Sequence, residues 1–230
     1  MGLLDDLKKQ AEQVKAQETG RTQTLQTNSV TTDIALKRAF QYLNDLGKQL
    51  NVVQPPRAHE FKLPQTPDIE PAKMKEFFCD YRSKNVGGKD YVAEVAMTFR
   101  IGSDQVITVK KKPEEMERYR DLLWQYNIEH KSEQIRNERK VINHEVFSVP
   151  CWFRAQAKID GDHETGRIKI ITKNVGEFEI NIWQLTSAEF NEQAIEEFAK
   201  FLIGQPNTFR EIAKKSSLNN ATGAYQRPKL

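Results

Sequence analysis

The chain opens on apolar residues spaced as on a helix. In GLLDDLKKQAEQVKA, residues 2–16, Leu3, Leu4, Leu7, Ala11 and Val14 recur at helical intervals with charges between them, which predicts an amphipathic helix. A helix so short is marginal in water by itself, so it needs a surface to pack on. Residues 17–29, QETGRTQTLQTNS, carry almost no apolar positions and read as a flexible linker. Helical spacing returns at Ile34, Leu36, Ala39, Phe40, Leu43, Leu46 and Leu50, predicting a helix over 32–50 capped by Thr31 or Thr32. Pro55 and Pro56 stop it. With Pro64, Pro67 and Pro71 following, 55–71 is an extended connection with room for an edge strand at 59–63.

The period then changes to two. Residues 74–82, MKEFFCDYR, read as a strand ended by Gly87 and Gly88. Over 91–101, Tyr91, Ala93, Val95, Met97, Phe99 and Ile101 share one face, with Glu94, Thr98 and Arg100 on the other. Gly102, Ser103 and Asp104 read as a turn into a strand at 105–109, and strands on such short loops predict an antiparallel meander. Pro113 opens a helix in the first-turn position it favours, with Glu114 and Glu115 suited to the helix dipole and Met116, Tyr119, Leu122, Leu123 and Tyr126 as its stripe. Residues 128–145 are dense in charge and fit strand or helix equally.

The last third alternates most clearly. Cys151, Phe153, Ala155, Ala157 and Ile159 face one way, and Trp152, Arg154, Gln156 and Lys158 the other. Ile168 and Ile170, then Phe178, Ile180 and Ile182, continue the inner face through two further strands. Thr186 and Glu189 form a capping box before a helix that turns Phe190, Ala194, Ile195, Phe198, Phe201 and Leu202 inward and stops at Gly204 and Pro206. A short helix over 208–215 follows. The sum is an α+β protein: an antiparallel sheet of about six strands with helices packed on one face, preceded by the amphipathic helix and linker. The expected organisation is a tethered segment at 1–28, one domain at 29–215 and a flexible tail at 216–230.

Composition narrows the classes. An apolar fraction of 38% and a charged fraction of 29% suit a soluble globular chain. The 35 basic and 32 acidic residues leave a formal charge of +3, too even for a global field drawing nucleic acid or membrane. Asp5 and Asp6 stand where a secretory signal would be basic and apolar, so a cytoplasmic location is expected. The cysteines, Cys79 and Cys151, are too few for a disulfide framework.

The stretch most suggestive of chemistry is KIDGDHETGRI, residues 158–168. An EF-hand loop would use Asp160, Asp162 and Glu164, but its sixth and twelfth positions are Thr165 and Ile171 where glycine and glutamate are required. His163 has no second His or Cys at zinc-ligand spacing. Inward alternation stops at Ile159 and resumes at Ile168, so the stretch reads as a hairpin loop, and no metal or cofactor is expected. Cys151 and Cys79 take the inward parity of their strands and read as small hydrophobes, although His144 stands seven residues before Cys151. No P-loop, dinucleotide, nucleophile-elbow or HExxH signature occurs, and no residue is assigned a catalytic role.

Two surfaces remain. Leu3, Leu4, Leu7 and Val14 form the docking stripe of the first helix, for a protein partner or for self-association. Trp152, Arg154, Lys158, Arg167 and Lys169 form a basic and aromatic sheet face of the kind that holds single-stranded nucleic acid. Glu177 and Glu179 on the next strand are expected to neutralise that face. The sequence therefore favours a non-catalytic binding or assembly module engaging a protein partner or a hydrophobic ligand. Nucleic-acid binding, and an enzyme with a site assembled from distant residues such as His59, His130 or His144, are the alternatives.

Overall fold

A computed structural model describes residues 3–56 and 72–219, with side chains over 8–56 and 72–214. The strand expected at 59–63 lies outside the described residues.

Helix α1 is a single element of 51 residues, Leu3–Val53. It takes in 17–29, where the sequence pattern predicted a linker. The segment contains no proline. Its threonines satisfy their hydroxyls inside the helix: Oγ1 of Thr19, Thr22 and Thr24 donate to the carbonyls of Lys15, Glu18 and Gly20 at 2.8, 2.9 and 2.9 Å. Low apolar content removes a packing face without breaking the backbone ladder. Thr32 is consequently a buried interior residue and not a cap. The buried stripe of the second half is Ala35, Leu36, Ala39, Leu43 and Leu50, while Ile34, expected inside, is 43% exposed.

The strands are β1 (Lys73–Val86), β2 (Lys89–Lys111), β3 (Lys131–Arg136), β4 (Ile142–Asp162), β5 (Arg167–Lys173) and β6 (Ile180–Thr186). They form a six-stranded sheet, entirely antiparallel, in the order β1-β2-β4-β5-β6, with β3 paired to the first half of β4. The charge-dense 128–145 region thus resolves into the β3–β4 hairpin.

The turn predicted at 102–104 is instead a bulge inside β2. Ladder pairing to β4 is interrupted between Gly102 and Val106. Gly102 has φ 151°, and a Cβ there would stand 1.6 Å from the Cys151 carbonyl oxygen. The bulge lets one long strand serve two regions. Its first half pairs with β1 and the end of β4, and its second half with the start of β4.

Helices α2 (Pro113–Gln125), α3 (Glu192–Leu202) and α4 (Phe209–Asn219) complete the fold. Tyr119 of α2 sets its ring edge-on to Phe147 of β4 at 5.0 Å. The expected capping-box bonds form, with Glu189 accepting from the Thr186 amide at 2.8 Å, but they close a turn ahead of α3. The helix itself is capped by Asn191, whose side chain accepts from the Ala194 amide. Trp183, Phe198, Phe201 and Phe209 pack as one aromatic cluster, with Phe198 and Phe209 at 4.8 Å. Ile180, predicted inward, is 45% exposed; Trp183 and Leu185 carry the inner face of β6 instead.

Candidate assembly surface

The stretch 158–168 clamps α1 to the sheet. Asn28 donates to the Glu164 carbonyl at 2.8 Å, and Ser29 to the His163 carbonyl at 3.2 Å. The fully buried His163 ring sits between the Ser29 carbonyl at 3.2 Å and the Val92 carbonyl at 2.8 Å. Asp33, one turn further along, accepts from the Val92 amide at 2.8 Å and pairs with Lys37 at 2.7 Å. Gly161 allows the close approach: a Cβ there would lie 2.6 Å from Leu36 Cδ1 and 2.7 Å from Thr32 Cγ2. The acids of this stretch are engaged locally. Asp162 accepts from the Glu164 and Thr165 amides and, at 2.7 Å, from the Thr165 hydroxyl. Burial pushes its carboxyl up, but these bonds outweigh burial and hold it below its ordinary value. Asp160 pairs with Lys158 at 3.0 Å. Among the described residues no group of three or more His, Cys, Asp or Glu side chains is placed to hold a metal ion.

Beyond this clamp α1 has no cover. Every described side chain from 8 to 27 is exposed, including Val14 at 52% and Leu25 at 37%. At 1.5 Å per residue that is a rod of about 30 Å. Its positions are not random. Ser29, Thr32, Leu36, Ala39 and Leu43 are buried against the domain. Counting back at helical spacing from Ser29 gives Leu25, Arg21, Glu18, Val14 and Ala11 on the same face. One stripe therefore runs the length of the helix, buried in its second half and bare in its first. Leu3, Leu4 and Leu7 stand on helical backbone at the same spacing; their side chains lie outside the described residues.

The outward sheet face carries the other predicted residues. Register places Arg154, Lys158, Arg167 and Lys169 on one surface. Lys158 is paired with Glu94 and Asp160, each at 3.0 Å, and these carboxylates raise its pKa. Trp152 donates to Asp104 at 2.9 Å, and the Lys75 ammonium lies 3.8 Å from its ring centre. Glu177 and Glu179, expected to neutralise this face, precede β6, and Glu179 pairs with Arg210 of α4 at 3.0 Å. The neutralising carboxylates come from β2 and β4. Arg167 and Lys169, with Asp160, Asp162, Thr165 and Gln184, line a solvent-open depression of about 330 Å³.

The remaining candidates stand apart from one another. Cys151 is fully buried, and burial raises its thiol pKa. Burial and the neighbouring Asp80 push Cys79 up to about 12, so neither sulfur is set up as a thiolate. The His130 ring lies tilted against Phe147 at 5.8 Å, with Nδ1 on the Ile128 carbonyl. No helix among the described residues is long and apolar enough to cross a membrane. No protein-family model, curated protein or solved structure matches the chain.

Proposed function

We propose that this protein is a non-catalytic assembly module that engages a protein partner through the uncovered stripe of α1. The observation that carries the reading is the exposure of every side chain from 8 to 27 on a helix whose inward-facing stripe, with Val14 and Leu25 on it, continues in register from its buried half. Thr19, Thr22, Thr24 and Gly20 are weak helix formers, so an exposed helix of this composition gains its stability from contact. A protein surface suits the stripe better than a bilayer. Asp5, Asp6 and Glu12 balance Lys8, Lys9 and Lys15, and the stripe holds no Trp or Phe anchor. Deleting residues 2–27, which spares the Asn28 clamp, tests the reading. The domain should melt nearly where the full chain does, while sedimentation or cross-linking to other proteins changes. If truncated and full chains behave alike in both measurements and with lipid vesicles, the helix is a passive extension and the reading fails.

A further inference from the structure

We infer that the partner is a second copy of this chain, paired antiparallel along residues 12–27 of α1; the inference rests on the assembly reading above. The bare stripe reads Val14, Glu18, Arg21, Leu25: apolar, acid, base, apolar. Read from the other end, the order is apolar, base, acid, apolar. Such a stripe complements itself when reversed, as a two-fold axis between 19 and 20 requires. Glu18 then meets the partner's Arg21, and Val14 meets the partner's Leu25, each contact occurring twice. Beside the seam, Lys15 falls near the partner's Thr22 and Gln17 near the partner's Thr24, so no like charges meet.

A parallel pair in register does the opposite. It sets Glu18 against the partner's Glu18 and Arg21 against the partner's Arg21, two repulsive layers in one short seam. The length also fits. In the antiparallel register Ala11 falls opposite the partner's Asn28, the residue at which the hairpin begins to cover the stripe. Pairing therefore uses the uncovered part of the helix and stops at the clamp; residues 3–11 must part from the seam there, because the partner's Thr32, the partner's Ala35 and the partner's Leu36 that they would next face are buried under its own sheet. An overlap of about 24 Å, short for a helix pair and containing one charged layer, makes a reversible dimer rather than a permanent one.

Sedimentation equilibrium on the full chain tests the pairing, with circular dichroism confirming that each variant keeps its fold. The wild-type chain should dimerise with a dissociation constant of about 10–100 µM. Glu18→Arg and Arg21→Glu should each weaken the dimer about tenfold or more, because each sets like charges together. The double reversal, Glu18→Arg with Arg21→Glu, should restore it, since the antiparallel pair needs opposite charges and is indifferent to which chain position carries which. A chain that stays monomeric well above about 100 µM overturns the inference. So does a double reversal as weak as the single variants. If the full chain is monomeric while deletion of 2–27 still removes cross-links to another protein, self-pairing fails and the wider assembly reading stands.

Discussion

Glu145 shows how far a single residue's setting departs from what its place in the chain suggests. It sits in the charge-dense run 128–145, yet its side chain is 1% exposed and both its oxygens accept from Nη2 of Arg120, at 2.7 and 2.6 Å. Burial pushes its carboxyl up; the hydrogen bonds from Arg120 and Ser132 more than offset that and leave it below its ordinary 4.5. A carboxyl depressed by folding adds stability above about pH 4.5 and loses it as pH falls through the lower folded value. Arg120→Met strands a buried carboxylate and should cost about 3 kcal/mol near neutrality, the low end for a broken buried pair because Arg120 keeps some solvent. In that variant the Arg120 bonds are gone and burial, the largest influence, outweighs what Ser132 still supplies, so the carboxyl rises and the deficit should shrink as pH falls through the raised value towards the wild-type one, in urea melts at neutral and acid pH. A deficit independent of pH would place the loss in packing. Gly161→Ala is the counterpart in the clamp. Its new methyl meets Leu36 and Thr32 and should cost about 1–3 kcal/mol; a neutral result would mean the helix can ride outward. The parity of Trp152, Arg154 and Lys158 was legible in the sequence, because alternation fixes which way a side chain points. Their partners were not, because Glu94 reaches Lys158 through strand register, which local alternation does not encode.

At the scale of elements, the pattern found those with a strong period and misjudged those that depend on a neighbour. The inner parity of β2 and β4 and the inward face of α3 follow from alternation and helical spacing, and Phe198 is fully buried as that spacing demands. Phe198→Ala should cost about 3–5 kcal/mol in thermal or urea unfolding, since it opens a hole among Phe201, Phe209 and Trp183. A loss under about 1 kcal/mol would mean the cluster collapses around the gap. The bulge at Gly102 reads as a turn because Gly-Ser-Asp is ordinary turn chemistry. What makes it a bulge is the Cys151 carbonyl crossing the space where a Cβ would be, a contact from a strand some fifty residues away. The 17–29 segment failed for the converse reason. Polarity removes a packing face, and a packing face is what periodicity detects; backbone helicity persists without one. The exposed stripe was legible at Val14, but its extension through Glu18, Arg21 and Leu25 shows only once the helix is continuous.

For the whole molecule, the continuous helix joins two regions of very different support. Residues 32–50 lie in the common core with β1, β2 and β4, so their amides should open only with global unfolding. Residues 8–27 have their backbone bonds but no cover, so their amides should exchange through local fraying, whatever the stability of the domain. Self-pairing changes this in one way. Burying the stripe between Val14 and Leu25 against a second chain should slow exchange across 12–27 as protein concentration rises through the dissociation constant, by the mass action that couples binding to stability. Exchange across 32–50 should not respond, because no part of that face is offered to a partner. Hydrogen exchange read by mass spectrometry at several dilutions measures both segments in one sample. Protection of 12–27 that rises with concentration, and that disappears in Glu18→Arg, is the expected result. Protection there that is high at every dilution would mean the rod is stable by itself, and the argument that its weak helix formers require a partner would fall.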